Sequence, residues 1–226
     1  MKRRSIWMLA LAASGLLLML LRLSGNPREP QVPPAAPEPA PLPWAIETDG
    51  NGGSRVFGIT LGLSPLLQLE QLLGGEAELT LFQQQDGTRV VEAFLDNRTA
   101  HGLKADFIAV IGIDPDQVEA MYNRGLRIAK GREAAHRITL HPDDARDARG
   151  LPVTTLTYLP AIDLDTELLR RRFGTPAERV ITGAETEHWL YPQSGLDIVV
   201  SLSGREVLQY VAPRDFTRLR APLTNP

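Results

Sequence analysis

His136, His141, Asp143 and Asp144 are the densest grouping of potential metal ligands or acid–base residues in the chain. A zinc or hard-cation centre needs three or four such donors converging on one point. On a strand, the odd separation between His136 and His141 turns their side chains to opposite faces. Asp143 and Asp144 follow Pro142, at a natural helix start where carboxylates suit the dipole. The grouping is read as a surface strand leading into an acid-rich helix. Asp114, Asp116 and Glu119 invite a paired-carboxylate hydrolytic site. Asp114 stands directly before Pro115, however, so an N-cap and an acidic first turn account for all three.

Arg170, Arg171 and Arg172 form a basic run suited to an anionic lipid or a wall stem peptide. Cations near a helix C-terminus also complement its dipole. Trp189 and Tyr191 share one face of a strand. Exposed, they would anchor an interface, since Trp dominates hot spots; buried, they are core. His188 faces the other way. No serine sits in a G-x-S-x-G setting and no Walker-type loop is present. The chain has no cysteine, which excludes disulfides, thiol catalysis, thiolate metal sites and a lipid-modified cysteine. No catalytic residue, metal or cofactor is assigned, and no enzyme activity is expected. The interface candidates are Trp189, Tyr191, Arg170 and Arg171.

The elements that must position these residues follow from periodicity and punctuation. Val56 to Leu61 predicts a short strand. Ser64 and Pro65 open a helix with an apolar stripe of Leu66, Leu67, Leu69, Leu72 and Leu73, stopped by Gly74-Gly75. Ala77 to Gln83 and Arg89 to Leu95 predict a hairpin around Asp86-Gly87. Lys104 to Ile113 is a further strand. Asp114-Pro115 opens a helix to about Asn123. His136–His141 and Val153–Tyr158 are strands around a charged helical turn or two. Asp163 or Asp165 caps a helix ending at Gly174. Strands follow near 179–181, 187–190, 196–201 and 206–211. The fold class is α+β, of antiparallel strands with two or three short helices. Two Leu- or Phe-Gly helix ends, each followed by strands, mark 55–113 and 152–212 as candidate αβ repeats.

The front of the chain fixes topology. Lys2, Arg3 and Arg4 precede an apolar run at 5–23 that includes Trp7, Leu17 and Leu21. A membrane span needs about 20 apolar residues, and the basic cluster places the N-terminus in the cytoplasm. Trp7 suits the interface, and Arg22 can snorkel. A cleaved signal peptide is the alternative, but the run is long and ends in Arg22-Leu23, a poor cleavage site. Residues 24–54 form a linker. Its prolines favour polyproline II, and Asn26 to Pro43 would reach roughly 50 Å. Trp44 to Ser54 is a glycine-rich adapter. Residues 1–4 are thus a cytoplasmic tail, and 55–226 the exported domain. The formal charge of −3 argues against nucleic acid, which wants a strongly basic face.

Leu164 to Val211 resembles the small lipoprotein domain of the outer-membrane barrel-assembly machinery (BamE, also called SmpA/OmlA). The features are Phe173-Gly174-Thr175-Pro176, then Trp189-Leu190-Tyr191, then Ser203-Gly204 between two strands. Leu61-Gly62-Leu63-Ser64 and Leu73-Gly74 repeat that style within 56–95. A doubled unit is similar to the β-lactamase-inhibitor-protein architecture, with two αβ units forming one sheet surface. The resemblance implies a binding module without catalysis. The chain departs from the family in having no lipobox cysteine and in carrying an unmatched middle, Asp114 to Pro160. The layout is also analogous to TonB-like bitopic proteins, but the apolar run lacks their histidine. These features together predict a single-pass bacterial inner-membrane protein whose periplasmic domain binds other envelope proteins as a scaffold or accessory subunit of an assembly or secretion machine. An anchored cell-wall hydrolase and a periplasmic ligand-binding domain are the alternatives.

Overall fold

The computed structural model of the chain describes residues 42–100, 102–130, 136–183, 185–201 and 204–224. The apolar run at 5–23 and its basic flank, Lys2, Arg3, Arg4, Trp7, Leu17 and Leu21 among them, lie outside the described residues, as does most of the linker. Among the described residues no helix is long and apolar enough to cross a membrane.

The described part is α+β. Strands β1 (Glu47–Thr48), β2 (Ser54–Val56) and β3 (Ile59–Thr60) form a small sheet. Five α-helices are described, α1 (Leu66–Leu73), α2 (Pro115–Asn123), α3 (Pro142–Ala148), α4 (Thr166–Phe173) and α5 (Thr217–Thr224). The other strands are β4 (Glu78–Gln83), β5 (Arg89–Ala100), β6 (Leu103–Ile111), β7 (Arg127–Lys130) and β8 (His136–Thr139). Next come β9 (Val153–Pro160), β10 (Glu178–Thr182), β11 (Thr186–Tyr191), β12 (Leu196–Ser201) and β13 (Val207–Val211). These form one antiparallel sheet in the order β10-β11-β12-β13-β9-β6-β5-β4-β8-β7.

Within this sheet two units are equivalent, one of α1-β4-β5-β6-β9 and one of α4-β10-β11-β12-β13. Each helix stops at a glycine with positive φ, Gly74 at 70° and Gly174 at 79°. Each fourth strand lies beside the third, and the two fourth strands pair with each other. Leu156 pairs with Tyr210 and Tyr158 with Leu208, so a Leu-x-Tyr triplet meets its own counterpart across an approximate twofold axis perpendicular to the sheet. The registers carry the equivalence outward. Ala109 and Ile198 match through their pairing with Leu156 and Leu208, and Ala93 and Trp189 through Ala109 and Ile198. Leu79 and Arg179 end the series. The helix-to-strand passages keep a constant offset, with Leu69, Gly74, Ala77 and Glu78 repeated as Leu169, Gly174, Ala177 and Glu178. The boundaries differ from the expected 55–113 and 152–212. Strand β9 belongs to the first unit, and α2, β7, β8 and α3 are inserted between its third and fourth strands.

One face of the sheet carries the main core, to which α1 contributes Leu66 and Leu69, α2 Met121 and α4 Leu169, with Ala145 of α3 packed against it. At its centre sits the tip of the β2–β3 hairpin. Phe57 and Gly58 have φ of 51° and 81°, a pair of left-handed residues as a two-residue type I′ turn requires. For Phe the left-handed region costs about 1–2 kcal/mol. The fully buried ring offsets this by packing on Phe107, Tyr158 and Tyr210 at centroid distances of 5.1, 5.3 and 5.9 Å. The Tyr210 hydroxyl donates to the Pro43 carbonyl at 3.0 Å. Burial, and next the neighbouring Tyr158, push that hydroxyl's pKa well above its ordinary value.

Four sequence expectations change. The single strand over 56–61 is this hairpin, because the chain reverses at Phe57-Gly58. The adapter at 44–54 is partly integrated: β1 pairs with β2, and the buried Ser54 hydroxyl donates to the Val211 carbonyl at 3.2 Å. Ser64 does not cap α1, since its Oγ accepts from Thr60 N at 3.0 Å. Leu66 and Leu67 N–H groups instead donate to the Leu151 and Arg149 carbonyls, which satisfies the first turn. Among the described residues the helices number five rather than two or three. One that no sequence signal marked, α5, contains Pro222, whose missing N–H normally argues against a helix.

Candidate functional site

The residues nominated by type do not converge. His141 is the N-cap of α3, its Nδ1 accepting from Asp143 N at 3.3 Å. Asp143 takes Arg146 at 2.8 Å. Asp144 is buried and paired with Arg124. Asp114 caps α2 by accepting from Asp116 N at 2.9 Å, and Glu119 pairs with Arg89. Among the described residues no group of three or more His, Asp or Glu is arranged to hold a metal ion.

Trp189 and Tyr191 are 1% and 7% exposed, so both are core and neither is a surface anchor. The Trp189 ring has the Arg170 and Arg179 guanidinium carbons 5.1 and 5.4 Å from its centroid. Its Nε1 donates to Glu187 at 3.0 Å, and Arg179 binds the same carboxylate at 2.5 Å. Arg179 foremost, with Trp189 and Arg170, holds the Glu187 pKa below its usual range against a smaller effect of burial. Arg170, Thr175 and Pro176 line a cavity of about 210 Å³ here. Arg171 lies on the exposed side of α4. Tyr191 OH donates to the Gly174 carbonyl at 3.0 Å, tying β11 to the end of α4.

The second face of the sheet holds what the sequence motifs missed. Alternation along β5 sends Val91, Ala93 and Leu95 into the core and Glu92 and Phe94 to the opposite face. Phe94 is 40% exposed there. Phe82, Phe94 and Ile108 form the apolar floor of an open depression of about 390 Å³, rimmed by Glu78, Glu92 and Arg137. Arg137 reaches Glu78 at 3.6 Å, and its guanidinium carbon lies 5.7 Å from the Phe82 centroid. Burial raises the Glu92 pKa above its ordinary 4.5. A phenylalanine in phase with the polar side of a strand was the available sequence signal.

The equivalent face of the second unit is closed. Leu190, the counterpart of Phe94 by register, is 0% exposed. It is covered by α5 and the turn before it, where Phe216, Leu219 and Leu223 pack on Leu190, Val211 and Val180. Arg220 of α5 pairs with Glu178 at 3.0 Å. Next to this, His188 and the buried Asp197 meet at 2.8 Å. Burial pushes the Asp197 pKa up, with His188 acting in the opposite direction.

The exposed feature of the first unit's second face is thus apolar surface flanked by charge, Phe82, Phe94 and Ile108 beside Glu78, Glu92 and Arg137. Compared with known protein families, curated proteins and solved structures, the chain has no significant match.

Proposed function

We propose that the chain is a binding or scaffold subunit of a bacterial envelope machine, anchored in the inner membrane by 5–23. Its α+β domain is held in the periplasm by the proline-rich linker and works without catalytic turnover. The observation that carries this is the uncovered apolar floor of Phe82, Phe94 and Ile108. On an antiparallel sheet the second face is ordinarily polar, and a contiguous apolar patch with a polar rim marks an interaction site. The two equivalent units favour an internal duplication, in line with the resemblance to the barrel-assembly lipoprotein domain and to doubled sheet-forming inhibitors. In this account one copy kept its second face open for a partner while the other acquired its own cover.

The test joins two assays. Crosslinking in the native envelope followed by mass spectrometry should return a discrete protein neighbour for the full chain. The purified chain should release no soluble fragments from wall sacculi. Hydrolysis of sacculi without any stable protein neighbour would reject the scaffold in favour of an anchored wall hydrolase.

A further inference from the structure

We propose that the open face of the first unit receives an amphipathic helix from a partner protein, with α5 on the second unit as the internal template. The inference rests on the docking face named above and specifies its occupant. Register equivalence superposes Phe94 on Leu190, Thr80 on Val180 and Glu78 on Glu178. In the second unit these positions are filled by one short helical segment. Its apolar side chains, Phe216, Leu219 and Leu223, recur at the i, i+3, i+7 spacing of a helix laid in a groove, and Arg220 reaches Glu178. The first unit presents the same sheet positions uncovered, at 40% exposure for Phe94 against 0% for Leu190.

Charge complementarity narrows the occupant further. Glu78 and Glu92 rim the depression. Among the described residues Glu78 has one ion pair, the long 3.6 Å contact to the half-exposed Arg137, a surface pair of little strength. An incoming arginine at the Arg220 position would meet Glu78 as Arg220 meets Glu178. The partner helix should therefore carry a large apolar residue, a second three positions on, an arginine directly after it, and a third apolar residue one turn further.

The probe is a helix-stabilised synthetic peptide carrying residues 213–224, fluorescently labelled and titrated into the full chain in lipid nanodiscs. The chain's own α5 already occupies the second unit, so the peptide reports on the first. Saturable binding is expected, lost at least tenfold by Phe94→Asp in the chain or by Arg220→Glu in the peptide. A Glu78→Arg chain should bind the parent peptide at least tenfold more weakly and recover binding with the Arg220→Glu peptide. Phe94 is partly exposed, so its substitution should leave the thermal midpoint nearly unchanged; the charge swap decides the matter should it not. No binding, equal binding to Phe94→Asp, or no recovery in the swap would overturn the proposal. A protein neighbour crosslinked at position 94 but not displaced by the peptide would reject the helix and keep the docking face. No neighbour at position 94 would reject the face itself.

Discussion

Phe57 joins the two units within the core. It packs on both tyrosines of the Leu-x-Tyr triplets and on Phe107 of β6, from a backbone conformation unfavourable for its type. Phe57→Ala should destabilise the domain by about 3–5 kcal/mol, as expected for a buried phenylalanine, measured by urea unfolding. Glu92 gives a prediction with a sign. Burial raises its native pKa above 4.5, so the protonated form is favoured in the fold. That contribution is fully present below the unfolded pKa and is lost as pH rises through the raised native value. Glu92→Gln should therefore match the wild type near about pH 4 and exceed it in urea midpoint at about pH 7. A variant that weakens with rising pH relative to wild type would contradict the burial of this carboxylate.

Among elements, α5 has the clearest task. It covers Leu190 and Val211, which would otherwise be the second unit's version of the open face. Phe216→Ala should cost about 3 kcal/mol and increase binding of an apolar dye. A chain ending at Ala212, if it remains folded, should bind two equivalents of the residue 213–224 peptide where the full chain binds one. Many elements were legible beforehand because local chemistry dictates them. Gly74 and Gly174 stop helices, Asp86-Gly87 turns a hairpin, and Asp114 and Asp165 cap helices through their own carboxylates. Strand β1 and helix α5 were not legible. The first is two residues long and exists by pairing with β2. The second holds a proline and is stabilised by what it covers, and tertiary packing of that kind leaves little local trace.

Among the described residues, the ten-stranded sheet contains two strand sets of like topology. The like topology of the two strand sets has a sequence trace in their helix ends but none in their registers, because the inserted segment separates β6 from β9 in sequence while they lie side by side. The site was less legible than the fold. Trp189 drew notice as an aromatic, yet it is interior; Phe94 could be picked out only as an aromatic in phase with the polar side of β5, since its 40% exposure depends on which elements pack over that face. Since β6 and β9 pair with each other and fall on opposite sides of the cut, fragments 55–113 and 152–212 should each fail to fold when expressed apart, as judged by circular dichroism. Trimming the chain to begin at residue 55 removes the Pro43 acceptor of Tyr210 and the partner strand of β2. Its thermal midpoint should fall measurably below that of a chain beginning at residue 42.

The most direct test of the docking face is site-specific photocrosslinking in the native cell, with the photoreactive side chain at position 94 and, for comparison, at the exposed position 63. One discrete protein adduct is expected from position 94 that is missing from position 63. Identical patterns at the two positions, or no adduct at 94, would contradict it.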